Sequence, residues 1–252
     1  MTVQYCSDLH LEFSANRHFL QQNPLLPEGD ILLLAGDVIP FSAMARANAF
    51  FDHISSAYDT VFWIPGNHEY YHSDAAERSG TLHEKIRDNV FLVNNQSIEI
   101  DSVRFIFSTL WSKISPDNQI YIEGNISDFE VIKFHQGRFT ADTFNRFHLD
   151  AIDFLQEELN KTHDGKTVVV SHHVPTFFHY PERYKTSPLN EAFAVELFDL
   201  IEKSPIDYWI YGHHHSNTSD FLLGKTALCT NQLGYVEYNE HRGFDPGKTI
   251  KL

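Results

Sequence analysis

Five short segments of this chain end in side chains that bind metals. They read Asp8-Leu9-His10, Gly36-Asp37, Gly66-Asn67-His68-Glu69, Ser171-His172-His173 and Gly212-His213-His214-His215. Carboxylate, amide and imidazole donors without thiolate suit divalent ions such as Mn, Fe, Zn, Co or Ni. Asp8 and His10 stand at i and i+2, as do His213 and His215, so one short segment can aim both side chains the same way. Asp37 has two oxygens to share and can bridge two ions. Two divalent ions side by side suit in-line attack on phosphorus. Each fragment alone is weak, since Asn and Asp also favour ordinary turns. Their common strand context, and the near-even spacing of Asp8, Asp37 and Asn67, raise them above that background.

The elements that must position these residues follow from hydrophobic pattern. Apolar, β-rich runs at residues 3–6, 31–35, 61–64, 167–170 and 208–211 each deliver one segment, and strand ends are where α/β folds place their chemistry. The run 31–35 is continuously apolar, as in a strand buried on both faces. Helices are expected over residues 42–57, with Ser42 as N-cap after Pro40, over 74–88, over 140–161 and over 191–203. The third shows helical spacing at Phe144, Phe147, Ala151, Phe154, Leu155 and Leu159. Further strands are expected at 90–93, 97–100 and 103–107, a hairpin at 221–228 and a closing strand at 249–252. Residues 11–30 read as a polar loop closing at Pro24 and Pro27. Residues 111–138 show no clean period and read as an insertion near the site. The fold class is α/β (α+β mixed): a four-layer α-β-β-α sandwich in one domain, 1–252, with the metal site at the C-terminal ends of the strands.

Composition narrows the partners. The formal net charge is -15, a field that repels a nucleic-acid backbone and makes a long nucleic acid unsuitable as principal partner. Two divalent ions would restore positive charge where a small anion docks, so a small phosphorylated substrate stays compatible. Cys6 and Cys229 lie in strand-like runs and read as buried, reduced thiols. No basic, then apolar, leader precedes the first motif, and no apolar stretch approaches the roughly 20 residues that span a membrane. The expected setting is cytoplasmic, without a membrane partner.

The motif order resembles the calcineurin-like metallophosphoesterase superfamily: Asp-x-His, Gly-Asp, Gly-Asn-His-Asp/Glu, His, then Gly-His-x-His. The resemblance spans Asp8 to His215. It implies one metal held by Asp8, His10, Asp37 and His215, and a second held by Asp37, Asn67, His172 and His213. The ions would lie roughly 3.5–4 Å apart, with a hydroxide between them to attack phosphorus in line. His68 would face the substrate as general acid for the leaving oxygen. Leu11 and Val38-Ile39-Pro40 stand where the Ser/Thr phosphoprotein phosphatase branch carries Gly and Asp-Arg-Gly. The phosphate-gripping Arg of that branch is therefore missing, and a bacterial-type small metallophosphoesterase is the better resemblance.

The expected function is a dinuclear hydrolase of phosphate esters: a phosphodiesterase on nucleotides or similar small metabolites, with Mn the first metal to test. Alternatives are a phosphomonoesterase on small substrates and, ranked lower, a non-catalytic metal-binding module on the same fold. A mononuclear zinc site on the C-terminal histidines would leave Asp8, His10 and Asn67 without a task. Sixteen histidines also include structural ones: His18, His53, His83, His135, His148, His163 and His241 read that way. His72 and His179 are weaker candidates for the pocket wall, and His173 and His214 for support behind the ligands. Glu69 reads as a helix-start residue or an acceptor for His68. The run 176–180 is aromatic and suits either stacking on a base or core packing.

Overall fold

The computed structural model describes residues 1–252. From the N-terminus, strand β1 (Thr2–Cys6) leads through helix α1 (Ser14–Gln22) to β2 (Ile31–Ala35), and α2 (Asn48–Ala57) leads to β3 (Thr60–Ile64). Next come β4 (Leu82–Arg87), β5 (Val90–Asn94), β6 (Gln96–Ile100) and β7 (Val103–Ser108). Short helices α3 (Gln119–Asn125) and α4 (Asp128–Val131) and a small ribbon, β8 (Lys133–Phe134) with β9 (Gly137–Arg138), precede the long α5 (Ala141–Leu159). The chain ends with β10 (Lys166–Ser171), α6 (Phe198–Lys203), β11 (Tyr208–Tyr211), β12 (Phe221–Leu223), β13 (Thr226–Thr230) and β14 (Thr249–Lys251).

Two six-stranded sheets result, in the orders β14-β1-β2-β3-β5-β4 and β12-β13-β11-β10-β7-β6. In each, the four central strands run parallel and both edge strands antiparallel. Alternation along each strand decides which layer a side chain joins. Ile31, Leu33, Phe62, Ile64, Val168, Val170 and Ile210 fill the core between the sheets. Leu32, Leu34, Val61 and Trp63 point the other way, against Phe51 and Ile54 of α2. Val169, Trp209 and Tyr211 pack outward with Leu155 and Leu159 of α5 and Ile201 of α6. This is the α-β-β-α sandwich, and it explains why the central strands read as continuous apolar runs. Residues 111–138 are not structureless. Trp111, Phe129 and Phe139 pack with Phe144 and Phe147 of α5 in a core of their own.

Several local expectations give way. Residues 74–88 are not a helix. Asp74 caps one 3-10 turn, Ala75–Glu77, by accepting from the Ala76 N–H at 3.0 Å. The rest forms edge strand β4, antiparallel to β5, where solvent on one face permits His83 and Lys85. Over 191–203 only Phe198–Lys203 is α-helical. Val174 and residues 193–195 exchange backbone hydrogen bonds, Val174 N to Phe193 O at 3.1 Å and Val195 N to Val174 O at 3.0 Å, which pulls that segment straight. Residues 42–47 lie in a 3-10 turn, Phe41–Ala47, and Ser42 caps nothing; its hydroxyl donates to the Tyr71 carbonyl. The loop at 11–30 contains α1, whose start has no side-chain cap. Cys6 and Cys229 are free and buried, as expected.

Candidate active site

The parallel strands of both sheets end on one rim, and there the backbone turns sharply. Asp8 (φ 56°), His10 (φ 47°), Asp37 (φ 54°), His213 (φ 82°) and His215 (φ 48°) all adopt left-handed conformations. Such conformations are uncommon for side-chain-bearing residues and gather at functional sites, where surrounding contacts enforce them. Here the contacts are explicit. The Asp8 and His10 N–H groups donate to the Gly36 and Asp37 carbonyls at 2.9 Å, which locks the end of β1 to the end of β2. The His213 N–H donates to both oxygens of Asp8 at 3.1 Å, which ties the second sheet to the first. Gly66 must be glycine, because a Cβ there would fall on Asp37 Oδ1 and the His172 ring.

Two sets of donor atoms converge. The donor atoms of Asp8, His10, Asp37 and His215 lie within 4.8 Å of one another, and so do those of Asp37, His172 and His213. In the first set His10 Nε2 is 2.9 Å from His215 Nε2 and 3.7 Å from Asp37 Oδ2, and His215 Nε2 is 3.3 Å from Asp8 Oδ1. In the second set His172 Nε2 lies 3.4 Å from Asp37 Oδ1, 3.0 Å from His213 Nδ1 and 3.2 Å from Asn67 Oδ1. Asp37 thus turns one oxygen to each set. All seven side chains anticipated from sequence meet here, and His68 stands beside the first set, its ring centroid 4.5 Å from that of His10.

The residues that hold this arrangement carry little signal in the sequence. His172 Nδ1 is 2.9 Å from the Ala35 carbonyl, and His215 Nδ1 is 2.8 Å from Glu240, which leaves Nε2 of each ring facing the cluster. Asp128, the first residue of α4, accepts from the Asn67 amide and the Tyr71 hydroxyl, both at 2.8 Å. The first bond orients Asn67 so that its oxygen faces inward. Tyr71 in turn stacks on His68, centroids 4.0 Å apart at 23°. Glu69 does not serve His68. It accepts from the backbone N–H groups of Asp37 (2.9 Å), Val38 (2.6 Å), Ile39 (3.3 Å) and Gly66 (2.7 Å), and from the Trp63 indole (3.1 Å). The acceptor for His68 is Glu12, at 2.9 Å. Only Glu12 has a possible sequence signal, its place two residues after His10. Nothing local marks Asp128 or Glu240.

Charge is unbalanced in a telling way. Asp8, Asp37 and Glu12 have only imidazoles as ion-pair partners, and Glu240 has His215. No lysine or arginine lines the adjoining pocket. Burial alone would push the Asp37 carboxyl up, yet His172 and His68 hold it well below the usual range. Burial and neighbouring imidazoles keep His213 neutral, its basicity far below normal, as a metal ligand must be. Buried anions need compensating cations, and two carboxylates, an amide oxygen and four imidazoles form a donor set that fits divalent metal ions.

The cluster opens into a pocket of about 370 Å³. Asp37, Asn67, His68 and His213 form its floor, with walls from Ile126, Asp128, Tyr180, Tyr184, Leu189, Phe193 and Tyr235. Phe193 stacks on His213, centroids 4.7 Å apart. Of the aromatic run 176–180 only Tyr180 reaches the pocket, and neither His72 nor His179 lines it. His214 touches the pocket and is bound to Gln232. His173 packs against the His213 ring, centroids 4.3 Å apart.

A two-sheet sandwich with acidic and imidazole donors at its strand ends is the architecture of a metal-dependent hydrolase of phosphoric esters. The chain is 33% identical, over 99% of its length and 96% of the relative's, to an uncharacterised protein of Acanthamoeba polyphaga mimivirus. It is 24% identical to the 3',5'-cyclic adenosine monophosphate phosphodiesterase of Haemophilus influenzae, over 81% of this chain and 61% of that protein. In fold it is similar to a phosphopantetheinyl hydrolase from Mycobacterium tuberculosis, with a TM-score of 0.72, 14% identity, and coverage of 99% of this chain and 95% of that one. The chain belongs to the calcineurin-like phosphoesterase family, whose model matches residues 1–217.

Proposed function

We propose that this metallophosphoesterase is a dinuclear phosphodiesterase acting on nucleotides or similar small metabolites, through one domain spanning 1–252 with residues 111–138 as an insertion beside the site. Asp8, His10, Asp37 and His215 would hold one divalent ion, and Asp37, Asn67, His172 and His213 the other. The observation that carries the reading is Asp37, with one oxygen turned to each donor set. The bound ions supply Lewis acidity, activating water for attack and neutralising phosphoryl oxygens. His68, half-enclosed between Tyr71 and His10, presents Nε2 to the pocket, where it would protonate the departing oxygen.

A diester is favoured over a monoester by charge. The pocket offers no guanidinium or ammonium for a second negative charge, and Asp128 and Glu240 face it. A singly charged diester avoids that repulsion, and the walls of Ile126, Leu189 and Phe193 suit an uncharged second arm. The phosphodiesterase name of the Haemophilus relative agrees with this. Manganese is the first metal to supply, and a cytoplasmic setting suits both the metal and the reduced thiols.

The test is turnover of bis(p-nitrophenyl) phosphate against p-nitrophenyl phosphate by metal-stripped, Mn-reloaded protein. Preference for the diester is the expected result, and His68→Ala, at unchanged metal content, should lose about a hundredfold or more on diphenyl phosphate, whose leaving phenolate is more basic, and far less on bis(p-nitrophenyl) phosphate. Turnover of the monoester alone would move the assignment to phosphomonoesters.

A further inference from the structure

Two imidazoles of this site share one carboxylate oxygen. Glu12 Oε1 lies 2.9 Å from His68 Nδ1 and 3.1 Å from His10 Nδ1. The Nδ1 of each ring is therefore engaged, which leaves Nε2 of His10 toward His215 and Asp37 and Nε2 of His68 toward the pocket, 3.4 Å from the Tyr235 hydroxyl. The partner of one imidazole nitrogen decides which nitrogen is free to act.

We propose that Glu12 is the positioning residue for His68, its carboxylate holding the ring by Nδ1 so that Nε2 delivers a proton to the leaving-group oxygen. This rests on the reading of His68 as general acid given above. The Tyr235 hydroxyl, 3.4 Å from Nε2, can either donate or accept and so does not fix where the proton sits, and the ring contacts do not distinguish the two nitrogens. Tyr71 stacks on one face, and His10 meets the ring edge to face. Glu12 is itself held in place: Arg17 of α1 donates to the Leu11 and Glu12 carbonyls at 2.6 and 2.9 Å, and the carboxylate has no lysine or arginine partner. In the step, the Nε2 proton passes to the departing oxygen as the P–O bond breaks and its electron pair stays with that oxygen. His68 is left neutral, with its Nδ1–H still on Glu12.

The same three side chains also lie close enough together to hold a cation. That arrangement would require His10 to serve two ions at once, and two N–H donors already account for the contacts of Glu12 Oε1, while Oε2 is buried and makes none.

The experiment compares Mn-loaded wild type, Glu12→Gln, His68→Ala and the double variant on two diesters of one shape. Bis(p-nitrophenyl) phosphate releases a phenolate that needs no proton, whereas diphenyl phosphate releases a more basic one. Glu12→Gln should lower kcat on diphenyl phosphate by about tenfold or more, the usual range for a residue acting through another, and change bis(p-nitrophenyl) phosphate turnover far less. In the His68→Ala background it should add nothing further. Glu12→Asp, which keeps the charge but shortens the reach, should show the same split between substrates. An equal loss on both substrates, or a Glu12→Gln effect that persists without His68, would overturn the proposal. So would loss of one bound manganese in Glu12→Gln, because the carboxylate would then act on the metal site, through His10 or as a ligand itself. If His68→Ala itself lowers both substrates equally, the general-acid reading fails first, and the proposal fails with it.

Discussion

At the level of single residues the site is a set of imidazoles whose protons are controlled by carboxylates. Burial alone would lower the basicity of His172 and His215. Asp37 beside the first, and Asp8 and Glu240 beside the second, overrule it and push them up to about 9 and about 10. A histidine raised in this way adds stability to the metal-free fold that is complete below its unfolded value of about 6.5, and loses it as pH climbs through the folded value. Metal binding needs the lone pairs and must expel those protons. The apparent affinity for Mn should therefore climb between pH 6 and 9, about tenfold per pH unit for each proton released. Competition titrations against a chelator of known pH response would measure it, and a flat profile would show that the rings are already neutral.

Among the elements, what matters is how strand ends are fastened to one another. Glu69 gathers N–H groups from the turn after β2 and the turn after β3, and the indole of Trp63 within β3. Burial and then the charge of Asp37 push its carboxyl up to about 8, against the pull of these donors. In Glu69→Gln an amide NH₂ would be set among N–H donors, leaving some of them unpaired in a dry site. An unsatisfied buried donor costs about 1–3 kcal/mol, so the melting temperature should fall by about 2–12 °C, at about 2–4 °C per kcal/mol for a chain of this size. Differential scanning calorimetry at about pH 9, where the carboxyl is ionised, would decide, and an unchanged melting temperature would mean that the two turns hold without this carboxylate.

For the molecule as a whole, the site is the seam where the two sheets are closed at one end. Asp8 and Asp37 come from one sheet, His172, His213 and His215 from the other, and without metal only protonated imidazoles offset the buried charge of the first pair. Ligands that bind only the folded state stabilise it by mass action, about 4 kcal/mol at a thousandfold excess over Kd. Chelation should therefore lower the melting temperature by about 8 °C or more, and Mn should restore it. Equal melting with and without metal would place the ions outside the structural seam.

Much of this architecture is legible in the amino-acid order. The central strands stand out because burial on both faces demands unbroken apolar runs, and the donor residues follow those runs directly in the chain. Asp8, His10, Asp37, Asn67, His172, His213 and His215 can thus be expected together from local pattern. Features that depend on contacts between distant segments are hidden from such a reading. β4 resembles a helix in its residues because an edge strand tolerates charge on its open face. Residues 193–195 are extended because Val174 pairs with them. Asp128 and Glu240 sit in segments with no periodic signal, and each acquires its role only when folding carries it to Asn67 or His215. The donor atoms and the strands that carry them are written in the chain, since both are local properties. The choice of imidazole nitrogen, the orientation of the Asn67 amide and the walls of the pocket come only with the tertiary contacts, because each depends on a partner brought in from elsewhere in the chain.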